Sequence, residues 1–285
     1  MRIFIIGAKG LLGSFLYDKL KKNYSVFGSS RNKIKNYYKL DLNNLSDIKK
    51  IFKTSFFDVI INTSGLIDVN KCNKDLKLAK KFNTQSIKRL SKVLNEIDHK
   101  PHLIHISTDQ IYNSKDPTKS SKENDVKITN NYSKSKYLGE LSTHIYKKKT
   151  IIRTNFFGNS SNFNKLSFSD YIIYNLKKKK KIKIPSNIYF SPIHMLFLLN
   201  YLQMIISKKV YGTFNLGSST GISKYDFSRK IAQIKKLPIK FLLPYKSNIE
   251  KHQRPNGTVM NINKIEKRLK IKLPTLNKSL QILSK

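Results

Sequence analysis

Tyr132 and Lys136 stand four residues apart in a stretch whose pattern predicts a helix over 130–146. Their side chains then share one face, about one turn from each other. A phenol, with an ordinary pKa of about 10, becomes a competent acid near neutrality when a cation beside it stabilises the phenolate. Tyr132 can therefore pass a proton to a developing alkoxide, with Lys136 as that cation. In a chain with 15 Tyr and 56 Lys and Arg such a pair also arises by chance, so its meaning depends on what accompanies it. Ser107, Thr108 and Asp109 follow an apolar run and sit at the end of a strand predicted over 103–107. That is the C-terminal end of a parallel strand, where open α/β sheets bind ligands. Thr108 is thereby placed to hydrogen-bond a reacting carbonyl.

A second constellation lies at the start of the chain. The stretch 7–13 reads Gly-Ala-Lys-Gly-Leu-Leu-Gly between a predicted strand at 2–6 and a predicted helix at 11–22. Gly7 lets the chain turn sharply, Gly10 allows close approach of backbone to a pyrophosphate, and Gly13 lets helix and strand lie together. The helix opened by Gly10, Leu11, Leu12 and Gly13 offers free N–H groups and its dipole to the anion. A tight strand-to-helix turn also uses glycine for backbone reasons alone, but position and flanking pattern favour dinucleotide binding. Ser29, Ser30 and Arg31 stand where an NAD-selective site places an acid for the ribose 2′-hydroxyl. An Arg with serines suits a 2′-phosphate, which points to NADPH, with NADH the alternative because Arg31 is also one of many basic residues. Asp41 and Leu42 are candidates for the wall of the adenine pocket.

These residues need a scaffold, and the first half alternates short β-rich runs with longer helical patterns, the signature of parallel βαβ units. Strands are predicted over 2–6, 25–28, 38–40, 58–62, 103–107 and 150–153, and helices over 11–22, 45–53, 74–97 and 130–146. Beyond Gly158 a polar loop is expected over 159–169, a helix over 170–178, β-like pieces at 182–184 and 213–216, and a helix over 224–234 capped by Ser223. The expected fold is α/β: a Rossmann-like doubly wound parallel sheet with a smaller C-terminal lobe. Residues 1–158 would form the NAD(P)-binding domain and 159–285 mainly the substrate-binding lobe, with some segments returning to the first domain.

Lys and Arg number 56 against 17 Asp and Glu, a formal charge of +39. Such an imbalance attracts anions, but it is spread along the whole chain, as a residue-usage bias would be, and no specific nucleic-acid partner is expected. The densest run, Lys177 to Lys181, reads as a solvated helix end. The most apolar window, 190–206, is interrupted by Ser191, Pro192, His194, Asn200 and Gln203, whereas a bilayer span needs ~20 predominantly apolar residues. It reads as a buried helix, without membrane insertion. Cys72 is the single cysteine; with an N-terminus unlike a secretory signal, it fits a cytoplasmic protein. The six histidines show no metal-ligand spacing.

The order of glycine turn, Ser107-Thr108-Asp109, Tyr132 and Lys136, Gly139-Glu140 and Arg153-Thr154 resembles the extended short-chain dehydrogenases, and among them most closely the dTDP-4-dehydrorhamnose reductase family. The run Asp58 to Asn62, Asn83 and Arg254-Pro255-Asn256 extend the resemblance over nearly the whole chain. It implies NAD(P)H-dependent reduction of the 4-keto group of a nucleotide-linked deoxysugar, in deoxysugar or surface-polysaccharide precursor synthesis, with a homodimer compatible. By the same resemblance Tyr132 protonates the alkoxide, Lys136 also holds the nicotinamide ribose, and Thr108 orients the carbonyl. Thr63, Ser64 and Gly65 line the cofactor, while Asp109, Phe156 and Arg254 join Thr108 on the substrate.

Two departures bear on the substrate. Gln110 follows Asp109 where these reductases usually carry an aromatic residue, and Phe156 takes the place of a Trp in a chain that has none. Gln110 also argues against a 4,6-dehydratase, which relies on an Asp-Glu pair after the Thr, because an amide cannot act as general acid or base. A 4-epimerase, using the same Tyr and Lys, and a non-catalytic regulatory subunit of the same fold are the remaining alternatives.

Overall fold

The computed structural model describes residues 1–158, 166–248 and 254–284. Runs in which every side chain is buried belong in a sheet covered on both faces. Strands β1 (Arg2–Ile6), β2 (Ser25–Ser30), β3 (Tyr38–Lys39), β4 (Val59–Asn62), β5 (His102–Ile106) and β6 (Lys149–Thr154) join Gly212–Leu216 in a seven-stranded sheet. Its order is Gly212–Leu216, β6, β5, β4, β1, β2, β3. Every register from β3 to β6 is parallel, with Ile3 opposite both Val26 and Val59 and Ile60 opposite Leu103. Strand order reverses at β1, flanked by β2 and β4. The crevice at that reversal is where a doubly wound sheet takes its ligand.

The chain divides into two compact units that interleave in sequence. The first comprises 1–107, 130–152 and 209–213. Its helices are α1 (Leu11–Leu20), α2 (Leu45–Thr54), α3 (Val69–Lys74), α4 (Leu76–Lys80), α5 (Ser86–Glu96) and α6 (Asn131–Ser142). Phe4, at the centre of its core, packs against Phe57, Phe52 and Tyr38 with ring centroids 4.8, 5.3 and 5.5 Å away. Burying one such ring contributes ~1.5–3 kcal/mol before conformational entropy is subtracted.

The single helix expected over 74–97 is broken. The Asp75 carboxylate accepts from Leu78 N at 2.8 Å, starting α4 afresh, and a π-helical turn, Lys81–Gln85, separates α4 from α5. The turn carries Asn83, 1% exposed, whose side chain bonds Leu66 and Ser135. Such wide turns are uncommon and concentrate near functional sites. The expected helix over 130–146 ends at Ser142, and β2 runs on to Ser30.

The second unit comprises 108–129, 153–208 and 214–285. A boundary after 158 is the simpler division, but 108–129 are tied by Ser114 N to Gly257 O (3.0 Å) and by Ser121 N to Val259 O (2.8 Å). Its core gathers Phe157, Phe190 and Phe227 around helices α7 (Phe168–Lys177) and α9 (Lys224–Ile234). The expected loop over 159–169 lies, at 159–165, outside the described residues. Helix α7 starts at Phe168, earlier than 170, because Ser167 and Asp170 cap it reciprocally. It ends in the exposed lysine run, as a solvated helix end should. Ser223 accepts from Asp226 N at 3.0 Å and caps α9 as expected. The apolar window forms α8 (Met195–Ser207), with Leu198 and Leu202 fully buried. Among the described residues no helix is long and apolar enough to cross a membrane.

Candidate active site

The first unit builds a turn shaped for an anion. Gly7 has φ +81°, a left-handed conformation costly for side chains, and its carbonyl accepts from Gly10 N at 2.8 Å. A Cβ on Gly13 would lie 2.2 Å from that carbonyl and 2.7 Å from Thr63 Oγ1. Only glycine therefore lets α1 start so close to β1 and β4. Gly10 caps α1 without any side-chain hydrogen bond, leaving the helix N-terminus at Leu11 and Leu12 to a ligand. This cradle fits a dinucleotide pyrophosphate.

Around it, Thr63 Oγ1 donates to Ile6 O at 2.8 Å, and the Ser64 hydroxyl donates to Asn62 Oδ1 at 2.7 Å, fixing the loop after β4. Ser29 is buried, and its hydroxyl accepts from Gly7 N at 3.4 Å, so it serves the glycine turn. Arg31 is exposed just beyond β2, its guanidinium 5.7 Å from the centroid of Phe82. Asp41 accepts from Asn43 N at 2.9 Å and shapes its own turn, while Leu42 packs into the core beside Leu40.

Tyr132 and Lys136 lie on α6, as their spacing requires. The helix is anchored by a capping box between Asn130 and Ser133 and laid against the π turn at Gly139, where a Cβ would come 2.1 Å from Asn83 O. Both side chains are buried. Lys136 Nζ donates to Ile106 O at 2.9 Å, at the C-terminal end of β5. Burial lowers its pKa to about 8, against the opposing pull of Glu140 and Cys72. A Cβ at Gly65 would come 3.8 Å from Lys136 Nζ, so the loop after β4 closes in on the amine. Glu140 accepts from the Ser107 hydroxyl, holding the end of β5 to the same helix.

In the second unit Thr108 caps the short turn Asp109–Ile111, accepting from Gln110 N at 3.1 Å. Asp109 is 2% exposed, and burial raises its pKa. Its Oδ2 accepts from Thr258 Oγ1 at 2.9 Å and from Asn155 Nδ2 at 3.0 Å. Lys224 and Arg254 line a pocket with it. Phe156 is half-buried in a two-residue strand opposite Ile193, next to the pocket residue Asn155.

The structure thus gathers Gly7, Gly10, Gly13, Thr63, Ser64, Gly65, Tyr132 and Lys136 in the first unit, and Thr108, Asp109 and Arg254 in the second. Sequence reasoning missed Asn155, Lys224 and Thr258. Thr258 had no local signal; Lys224, first in its helix after a recognised cap, had a placement but no partner until the chain was folded. Asn83 was noted, but its part in fixing the Leu66 loop to α6 was not.

The family model described as the RmlD substrate binding domain matches residues 1–285. The chain is 21% identical over 244 residues to the probable low-salt glycan biosynthesis reductase Agl14 of Haloferax volcanii, covering 82% of this chain and 80% of that one. It is 25% identical over 240 residues to the dTDP-4-dehydrorhamnose reductase of Aggregatibacter actinomycetemcomitans, covering 80% and 76%. The crystal structure of dTDP-4-dehydrorhamnose reductase from Bacillus anthracis in complex with NADP superposes with a TM-score of 0.87 at 22% identity, covering 99% of this chain and 97% of that one. At that identity the likeness establishes the fold.

Proposed function

Since the chain belongs to the RmlD substrate binding domain family, we propose that it is an oxidoreductase that uses NAD(P)H to reduce the 4-keto group of a nucleotide-linked deoxysugar, in the synthesis of a glycan precursor. The observation that carries this reading is the pair Tyr132 and Lys136, buried one helical turn apart with Lys136 anchored at the end of β5. The relatives named as reductases and the neighbour solved with NADP support the same chemistry.

Reduced nicotinamide supplies the hydride. The N-terminus of α1 holds its pyrophosphate and the loop at Thr63, Ser64 and Gly65 flanks its nicotinamide side. Arg31 takes a 2′-phosphate, so NADPH is preferred to NADH. Tyr132 gives its phenolic proton to the sugar oxygen as negative charge develops there. Lys136 stabilises the resulting phenolate by its charge and holds the nicotinamide ribose. Thr108 orients the carbonyl, and Asp109, Phe156 and Arg254 face the sugar nucleotide. Gln110 leaves no second acid beside Asp109, which favours reduction over elimination. A cytoplasmic setting goes with this reading and with the free, buried Cys72.

The test is the oxidation of NADPH or NADH by purified protein supplied with dTDP-4-dehydrorhamnose, comparing wild type with Tyr132→Phe. Turnover in wild type and a loss of ~10²–10⁴-fold in the variant are expected for removal of a general acid. Equal turnover in the variant would overturn the role of Tyr132. Cofactor binding without turnover would point to another keto sugar or to a regulatory subunit.

A further inference from the structure

Helix α7 packs one face inward and turns another to water. Ile172 and Leu176 are fully buried, whereas Tyr171 and Tyr174 are 42% and 49% exposed. Spacings of three and four set Tyr171, Tyr174 and Lys178 in one line along the helix. Lys178 Nζ donates to the Tyr174 hydroxyl at 2.6 Å and lies 4.4 Å from the centre of its ring. The two side chains thus form one unit, apolar at the ring and cationic at the tip.

The chain leaving α7 adds charge without relief. Residues 177–183 hold six lysines, all exposed, around the buried Ile182. The acid of the helix, Asp170, is engaged with Ser167 in its N-terminal cap, and among the described residues no carboxylate lies within ion-pair reach of these lysines. A helix C-terminus favours cations in its last turn, which accounts for Lys177 and Lys178 but not for Lys180, Lys181 and Lys183 beyond it. In the strand Ile182–Pro185, Lys183 stands opposite Leu243 of the strand Leu242–Tyr245. Tyr245, two residues on from Leu243 and so on the same face, is 39% exposed.

We propose that this surface of the second unit, made of Tyr171, Tyr174 and the lysines of 177–183, docks peripherally on an anionic lipid bilayer. The proposal is independent of the reductase reading. Charge selects the partner: clusters of about four to eight lysines on or beside an amphipathic helix suit the negative surface potential of such a bilayer, and each cation near it strengthens binding about 5-fold. The rings narrow the choice. Tyr belongs at the headgroup level of a membrane, where lysine stems lie along apolar surface and their ammonium groups reach phosphate. A single-stranded nucleic acid would instead call for free rings interleaved with the cations as a stacking platform. Residues 177–183 hold no aromatic residue, and one face of the Tyr174 ring lies under its own lysine. Contact stays at the surface, since no helix among the described residues is long and apolar enough to cross a membrane.

Co-sedimentation of the full chain with vesicles of phosphatidylcholine, alone or with about 30% phosphatidylglycerol, tests the docking. Wild type is compared with a patch variant carrying Lys177→Gln, Lys178→Gln, Lys180→Gln and Lys181→Gln. A control loses the same charge from exposed lysines of the first unit, through Lys22→Gln, Lys50→Gln, Lys88→Gln and Lys92→Gln. Circular dichroism first checks that the variants are folded. Wild type should bind only the anionic vesicles, and less as salt rises; the patch variant should bind ~10²-fold more weakly, the control within about 3-fold of wild type. Because the chain has no Trp, Tyr174→Trp installs a single indole, whose emission should shift to the blue on anionic vesicles. Equal losses in the patch variant and the control would reduce the effect to the net charge of +39 and overturn the proposal. An unmoved indole emission in vesicle-bound protein would overturn it as well. So would a wild type that leaves the vesicles unbound, and patch-dependent capture of a single-stranded oligonucleotide in that case would reassign the surface to nucleic acid.

Discussion

Lys136 reaches from the middle of α6 to the carbonyl of Ile106, 2.9 Å away, and so ties the helix that carries Tyr132 to the end of strand β5. One amine thus has a fixed backbone acceptor and, in the proposed reaction, a phenolate to stabilise.

A lysine held to about 8 by burial carries its charge below that pH and loses it above. Turnover that depends on the Lys136 cation is therefore expected to fall as pH rises past about 8. Lys136→Arg keeps its charge and should extend the plateau to higher pH, whereas Lys136→Met should lose ~10²-fold or more in kcat at every pH. Rate profiles of the three proteins, taken with saturating cofactor, decide it; identical alkaline limbs in wild type and Lys136→Arg would exclude Lys136 as their source.

Gly139→Ala sets a methyl carbon 2.1 Å from Asn83 O, a backbone atom that cannot swing aside. Helix α6 must shift off the π turn, at a cost of about 1–3 kcal/mol. Urea denaturation should show that loss of stability, and turnover should fall with it because Tyr132 and Lys136 ride on the same helix. Wild-type stability in this variant would mean that the contact is softer than the geometry indicates.

Arg31→Ala removes the exposed cation beyond β2. Its dissociation constant for NADPH should rise about 10-fold, while that for NADH stays within about 2-fold, since only NADPH carries the 2′-phosphate. Equal effects on the two cofactors, read by equilibrium titration, would assign Arg31 to another part of the dinucleotide.

His102 in the first unit and His194 in the second are buried, and each has its pKa lowered to about 4 from 6.5. His105 is lowered too, by burial and by Lys136. Between 6.5 and about 4 the unfolded chain binds protons that the native chain refuses, so stability falls as pH falls. Each histidine contributes up to ~1.4 kcal/mol per pH unit in that window. Urea midpoints followed by circular dichroism should drop between pH 6.5 and 5, and His194→Gln should flatten the slope; a flat profile in wild type would show that these rings protonate without unfolding.

Local chemistry was legible before the chain was folded. The glycine turn declares itself because the left-handed φ of Gly7 and the close approach at Gly13 are demands that only glycine meets. The pair Tyr132 and Lys136 declares itself because helical periodicity alone sets two residues four apart on one face. Fully apolar runs such as 3–6 and 59–61 betray a sheet covered on both sides, since half-exposed strands would alternate. The break in the helix expected over 74–97 was less accessible. Its apolar spacing is helical throughout, and only the Asp75 cap and the demand of Asn83 for partners at Leu66 and Ser135 interrupt it.

The environment of Asp109 belongs to the tertiary structure. Its partner Thr258 lies 149 residues away in sequence and Asn155 lies 46 away, and neither spacing carries a period or a motif. Lys224 was one lysine among many until folding set it beside Asp109 and Arg254. Types and short spacings in the sequence determined which residues are proposed to bind a dinucleotide and move a proton. Which charges are buried together, and hence how far each pKa shifts, was decided by packing, because desolvation and Coulomb energy depend on distance in space and not on distance along the chain.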